Sequence, residues 1–157
     1  MPIHSINIAQ ATITDLDEIS TLFDQYRVFY QQESNMEAAR SFLFQRFEHQ
    51  ESIIFLAKDN DNNGKSIGFA QLYPVFSSIS MERSLILNDL FVDESYRGQG
   101  IGKKLLQAVS DYCNFIHSKG IELSTAATNT AAQKLYEQVG YVRDKEYYHY
   151  FRKADTR

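Results

Sequence analysis

The chain has 157 residues, 43% of them hydrophobic, with 11 Phe and 10 Tyr; that length suits one domain, residues 1–157, with a sizeable core and no room for a second. A formal charge of −4, with Lys and Arg scattered, excludes a nucleic-acid footprint and favours cationic small molecules or basic peptides as partners. The lone Cys113 excludes an intramolecular disulfide and a cysteine-based zinc site. No stretch reaches the ~20 apolar residues of a membrane span, and Met1-Pro2-Ile3-His4-Ser5 lacks the pattern of a leader, so the expectation is a soluble, cytoplasmic protein.

Residues 5–11 alternate weakly, as a short strand does, and Thr14 with Asp17 three residues on offers helix-starting chemistry. The helix that follows has the apolar stripe Leu16, Ile19, Leu22, Phe23 and Tyr26. A second helical pattern, Ala38, Ala39, Phe42, Leu43 and Phe47, ends near His49. The period then changes. Residues 53–57 and 67–73 are short apolar runs flanking Asp59-Asn60-Asp61-Asn62-Asn63-Gly64 and read as a hairpin. Pro74 removes a ladder donor and is expected to close the second strand, leaving 75–81 as a connection. Residues 85–92 form the next strand, and 99–119 a helix with Ile101, Leu105, Ala108, Val109, Tyr112, Cys113 and Ile116 on one face and Gly120 as its stop. A strand at 121–125, a short helix ended by Gly140, and a final strand at 141–150 complete the order.

Between the strand at 85–92 and the long helix, three of the seven glycines fall within five residues, Gly98, Gly100 and Gly102. Such a turn can aim successive backbone N–H groups at one point, and the helix adds its positive dipole end. Arg97 brings a planar charged fork suited to phosphate oxygens. A dinucleotide fingerprint fails because its third glycine would be Lys103, and a triphosphate loop fails at Arg97 and Lys104. The pattern present is Arg-x-x-Gly-x-Gly, and here the sequence resembles the GCN5-related N-acetyltransferases (the GNAT superfamily). Downstream, Asn129-Thr130-Ala131-Ala132-Gln133-Lys134-Leu135-Tyr136-Glu137-Gln138-Val139-Gly140-Tyr141 is similar to that family's second signature, Asn-x-x-Ala-x-x-Leu-Tyr-x-x-x-Gly-[Phe/Tyr]. The match is close over residues 85–142 and is one of element order before that.

The resemblance implies an α/β fold with a mixed, mostly antiparallel central sheet flanked by helices, in which the strands at 85–92 and 121–125 run parallel and splay apart to admit the pantetheine arm. It implies acetyl-coenzyme A as co-substrate, a primary amine as acceptor, and direct transfer in a ternary complex. Arg97, Gly98, Gln99, Gly100, Ile101 and Gly102 are then assigned to the diphosphate. Phe91 and Val92 hold the pantetheine amides, and the backbone near Leu90 meets the oxyanion. Lys103 and Lys104 either meet phosphate charge or are plain solvated residues. Tyr136 is the donor to the departing thiolate, its alternative being a core aromatic completing a stripe with Ala132, Leu135 and Val139. Asn129 is a helix N-cap that also suits the cofactor arm.

Asp89 is the one carboxylate in an otherwise apolar strand and is read either as a general base, directly or through water, or as a structural group tying down nearby backbone. Here the chain departs from a common family arrangement, because the place of the usual glutamate, four residues before Val92, is Asn88, which cannot take a proton. Adjacent strand residues face opposite sides, so Asp89 does not simply replace it. For the acceptor, Tyr26, Arg27, Phe29, Tyr30, Glu33, Tyr73 and Phe76, with Asn88, suit a cage for a cation with an apolar stem; each of the aromatics also reads as an ordinary core or rim residue. His4, His49, His117 and His149 share no ligand spacing, so no metal is expected. Cys113, in phase with the apolar helix face, reads as packing, which disfavours a ping-pong route. A small amine such as a polyamine or amino-acid-like compound is preferred over a protein lysine or amino terminus. A non-catalytic acyl-coenzyme A sensor is the reading from another class, and a homodimer is compatible with His149 among Tyr147, Tyr148 and Tyr150.

Overall fold

The computed structural model describes residues 5–155; the expectations for Met1 to His4 lie outside them. The chain divides into two compact units, Met1–Ser124 and Thr125–Arg157. In the first, the order is β1 (Ile6–Gln10), α1 (Leu16–Phe29), α2 (Met36–Glu48), β2 (Ile53–Asp59), β3 (Lys65–Ser77), β4 (Glu82–Val92), α3 (Ile101–Phe115) and β5 (Ile121–Glu122). The strands form one sheet in the order β1-β2-β3-β4-β5. Its first four strands are antiparallel, and β4 pairs with β5 in parallel.

Helices cover both faces, and for that reason β2 and most of β3 are near-continuous apolar runs with little alternation. On one face Leu16, Ile19, Leu22 and Phe23 of α1 and Ala39 and Leu43 of α2 pack on Ile54, Leu56, Phe69 and Phe91. The expected stripe of α1 is thus buried from Leu16 to Phe23, with Tyr26 partly buried against it. Its start signal lies earlier than expected, because the Thr12 N–H donates to Asp15 Oδ2 at 2.9 Å. Asn35 caps α2, accepting from the Ala38 N–H at 3.0 Å. The other face is covered by α3 through Ile101, Leu105, Leu106, Val109 and Cys113, all buried. Cys113 is therefore a packing residue.

Three boundaries differ from expectation, the simplest being β5, which covers only Ile121–Glu122 of the expected 121–125. Pro74 does not end β3, which runs on to Ser77, so that only 78–81 turn and β4 begins at Glu82. The reason is the direction of the missing donor. Leu85, which faces Pro74 across the ladder, sends its own N–H to the Gly120 carbonyl at 3.0 Å on the β5 side. The Pro74 nitrogen therefore points away from β4, and pairing of β2 with β3 already stops at Leu72. No ladder bond is lost. The long helix is also shorter than the 99–119 expected, with Gly100 as its N-cap and Ile116 as its C-cap.

The second unit holds α4 (Thr130–Gln138), capped by Asn129, whose Oδ1 accepts from the Ala132 N–H at 3.1 Å. Gly140, at φ 101°, ends it as expected: Gly140 N–H bonds the Glu137 carbonyl and Tyr141 N–H the Tyr136 carbonyl. The final strand at 141–150 is not formed. Asp144 accepts from the Glu146 N–H at 2.9 Å, and this side-chain turn bends the backbone in the middle of the expected run.

Gly68 on β3 permits the close approach of three elements: a Cβ there would lie 3.0 Å from the Phe91 carbonyl oxygen and 3.4 Å from Leu105 Cδ1. Gly68→Ala is expected to destabilise the fold by about 1–3 kcal/mol, read as a lower urea midpoint.

Candidate active site

The glycine turn forms as a loop between β4 and α3. Asp93 opens it, accepting from the Ser95 N–H at 3.0 Å and the Ser95 hydroxyl at 2.7 Å. Burial pushes the Asp93 carboxyl up, but the Ser95 bonds, with the charges of Lys65 and Arg97, outweigh it and hold the group below its usual value. Gly98 and Gly100 both sit at φ 78°, in the left-handed region, and a Cβ on either would meet nothing within 4 Å. The open side of this loop is therefore bare backbone. The first intrahelical bond of α3 is Lys104 N–H to the Gly100 carbonyl. Helix geometry then leaves the amides of Ile101, Gly102 and Lys103 without intrahelical acceptors. The first turn contains no acid, while Lys103 and Lys104 are exposed on it. Positive charge at the positive end of a helix is unfavourable by itself, so this arrangement suits an anion.

The loop is anchored from beneath by Tyr96, which sequence reasoning missed. Its buried hydroxyl donates to Asp59 Oδ2 at 2.8 Å and accepts from Asn62 at 3.2 Å. The Asn62 bond favours the phenolate, but Asp59 and burial outweigh it and hold the Tyr96 phenol above its usual value. Asp59 is fully buried. The sequence signal for it is a lone carboxylate closing the apolar run of β2.

Arg97 faces the first helix. Its Nε donates to the Val92 carbonyl at 2.9 Å, and its guanidinium lies 4.8 Å from the centroid of Phe29 and 5.4 Å from that of Phe91. Tyr26 stands edge-on to Phe91, Phe69 and Tyr30. Of the expected acceptor residues, Tyr26, Phe29 and Tyr30 thus form one aromatic wall with Phe91, which was assigned to the cofactor arm. Glu33 is exposed, and its backbone carbonyl accepts from Arg27 at 3.2 Å. Phe76 lies apart, exposed under Arg83.

The strand carrying Asp89 has one residue more than its partner. Gln71 pairs with Asp89 but Leu72 with Leu87, so Asn88 is the extra residue of a β-bulge. The two-residue alternation is suspended there. Leu85 and Leu87 share a face with Leu72, whereas Asp89 and Phe91 share the opposite face with Gln71 and Phe69, toward α1 and α2. Asp89 is buried, with Oδ2 accepting from Gln71 Nε2 at 2.7 Å and Oδ1 from Asn88 Nδ2 at 3.1 Å. Tyr73 is pushed up to about 12 by burial, with the Asp89 charge adding to it and Arg46 opposing. Beyond Leu85–Ile121 and Ile86–Glu122 no pair joins β4 to β5, so the β4 edge through Leu87, Leu90 and Val92 carries no strand partner on that side among the described residues. Parallel strands that part after two pairs are what the resemblance implies. In the second unit, Tyr136 is half-buried, its ring 5.8 Å from that of Tyr141. Among the described residues no group of His, Cys, Asp or Glu is placed to hold a metal ion.

A bare glycine turn before a helix, and a sheet whose parallel pair parts beside it, are the marks of an acyl-coenzyme A dependent transferase. The Acetyltransferase (GNAT) family profile matches residues 16–141, and the chain belongs to that family. It is 47% identical over 145 residues, 92% of this chain and 95% of the other, to an uncharacterised N-acetyltransferase, YhfO, of Bacillus subtilis (strain 168). A crystal structure of a probable acetyltransferase aligns with TM-score 0.90 and 39% identity, covering 96% of this chain and 99% of that one. A spermine/spermidine N(1)-acetyltransferase of Bacillus subtilis (strain 168) is 33% identical over 81 residues, 50% of this chain and 53% of its own.

Two measurements test this geometry. Gly100→Val introduces a side chain into the open face at a left-handed φ, and calorimetry is expected to show coenzyme A affinity falling at least about tenfold, beyond the ~1–2 kcal/mol of strain seen in unfolding. For Asp93, a folded-state value held below that of an unperturbed aspartate means that its stabilisation is complete above the unperturbed value and is lost as pH falls through the lower folded one. The stability deficit of Asp93→Asn should accordingly shrink as pH falls below about 4.

Proposed function

We propose that this acetyltransferase moves an acetyl group from acetyl-coenzyme A to the primary amine of a small molecule, a polyamine or amino-acid-like compound, by direct transfer. The observation that carries this reading is the bare loop at Gly98 and Gly100 ahead of an acid-free helix start. Arg97 through Gly102 hold the diphosphate through backbone amides, with Lys103 and Lys104 adding charge, and the unpaired β4 edge from Leu90 to Val92 receives the pantetheine amides. Residues 1–157 are read as a single N-acetyltransferase domain, with Asn129 and Tyr136 coming from the second signature.

Acetyl-coenzyme A supplies an activated acyl carbon and a thiolate leaving group. Asp89 takes the proton that the ammonium must lose, which at neutral pH it otherwise keeps, its value being near ~10.4. A backbone N–H at Leu90 donates to the oxyanion. The Tyr136 hydroxyl donates its proton to the departing sulfur. Tyr26, Tyr30 and Tyr73 line the approach of the amine's apolar stem, with Asn88 and Glu33 at its rim. The polyamine reading draws support from the spermine/spermidine N(1)-acetyltransferase relative and from the net negative charge of the chain. A cytoplasmic site of action fits the single buried thiol. A homodimer in which the exposed Tyr147, Tyr148, Tyr150 and Phe151 are covered fits their apolar surface.

A screen of polyamines, amino acids and peptides, with release of free thiol as readout, tests the acceptor. Turnover with small amines and little with peptides is expected; peptide preference would overturn the substrate class. Tyr136→Phe should lower kcat by ~10²–10⁴-fold while leaving coenzyme A binding intact. Binding without turnover on any amine would instead make the chain a sensor.

A further inference from the structure

The side chain of Gln71 was not singled out by the sequence, yet it is fully buried on the central strand and is the direct cross-strand neighbour of Asp89. Its Nε2 donates to Asp89 Oδ2 at 2.7 Å, whereas its Oε1, also buried, has no hydrogen-bond partner among the described residues. The orientation of this amide is dictated by the charge of Asp89. An ionised carboxylate only accepts, and a turned amide would set Oε1 against Oδ2 with no proton between them. At its other end nothing holds the amide, because Oε1 is unbonded.

Resting on the assignment of Asp89 as base, we propose that Gln71 is a positioning residue whose amide follows the proton: Nε2 donates to the Asp89 carboxylate, and after Asp89 has taken the proton of the acceptor ammonium the amide turns over so that Oε1 accepts from the new Asp89 O–H. The two orientations have the same shape, so no neighbour must move. In the step R–NH₃⁺ becomes R–NH₂ and the Asp89 carboxylate becomes a carboxylic acid; the proton then leaves to water and the amide turns back. Asn88, exposed beside the bulge, holds Oδ1 at 3.1 Å in the first state. An asparagine at the place of the usual glutamate thus acts as a donor to the neighbouring carboxylate.

The titratable and charged groups on this face include Asp24 of α1, buried and held by the Ser34 hydroxyl and the Asn35 N–H, and Arg97, stacked on Phe29 and Phe91. Tyr73 on β3 ionises only at about 12. Arg46 on α2 is ion-paired with Glu51 at 3.3 Å, Tyr26 of α1 meets Phe91 through its ring, and Tyr30, just past α1, meets Tyr26.

The test is the acidic limb of the kcat/KM profile, measured with spermidine as acceptor throughout so that the acceptor's own titration is common to all variants. Gln71→Met removes the donor at nearly constant volume and is expected to move the limb up by about one pH unit or more. Gln71→Glu, which replaces the donor with a second carboxylate, should move it further; Glu51→Gln should leave it in place. A folded Gln71→Met with the limb of the unsubstituted protein overturns the proposal, provided Asp89→Asn removes that limb. Should Asp89→Asn retain it, the base assignment itself fails. If Gln71→Met does not fold, the unsubstituted protein decides: the carboxylate-bonded Nε2 proton of Gln71 should lose its downfield NMR position with the midpoint of the limb, and a resonance constant through it overturns the proposal.

Discussion

One inserted residue governs the chemistry of this sheet. With Asn88 bulged, β4 presents Leu85 and Leu87 to the α3 side and, two and four residues later, Asp89 and Phe91 to the α1 and α2 side. A regular strand would have kept all four on one face. The bulge thereby opposes a carboxylate to Gln71 and seats Phe91 against Tyr26, Phe69 and Phe29. Bulges strengthen local twist, and just before this one the parallel ladder of β4 and β5 stops. The buried carboxylate and the freed strand edge belong to the same short stretch of backbone.

That feature was the least legible part of the sequence. The elements of the first unit follow from period and composition, because burial on one helix face or on both strand faces leaves a local signature: α1, α3 and the β2–β3 pair stand where the patterns put them. The glycine turn was legible for a similar reason, since left-handed φ at Gly98 and Gly100 selects for residues without Cβ. A bulge selects for nothing so visible. Asn88 and Asp89 read as a broken alternation, and the partner that explains them, Gln71, lies 18 positions away in sequence. Pro74 misled for the same reason in reverse. Whether a missing N–H matters depends on which side of the ladder it would have faced, and the sequence of one strand does not record that. The final run at 141–150 failed through a competing local bond, Asp144 to Glu146, stronger than an alternation without a ladder.

The loop and the aromatic wall are joined rather than merely adjacent. Arg97 caps the last carbonyl of β4 and lays its guanidinium on Phe29 and Phe91, so one residue of the glycine loop is also part of the aromatic wall. Tyr96, one position earlier, turns the other way and is fixed by Asp59 and Asn62 at the opposite end of β2. Consecutive side chains thus tie the glycine loop to elements on both sides of it.

The helix start carries the remaining argument. Two lysines and no acid in the first turn of α3 oppose the helix dipole, an arrangement that costs a few tenths to about 1 kcal/mol per charge in the free protein. Two left-handed glycines add backbone entropy to that cost. Neither is offset by a cap, since Gly100 has no side chain to offer. An anion meeting the exposed amides offsets the electrostatic part, because it attracts both lysines and the helix dipole, whereas the glycine entropy is already lost when the loop is ordered. The destabilisation is confined to the one place where a diphosphate is proposed to sit, and a site that is costly when free and favourable when filled couples binding directly to the stability of the helix that covers the sheet.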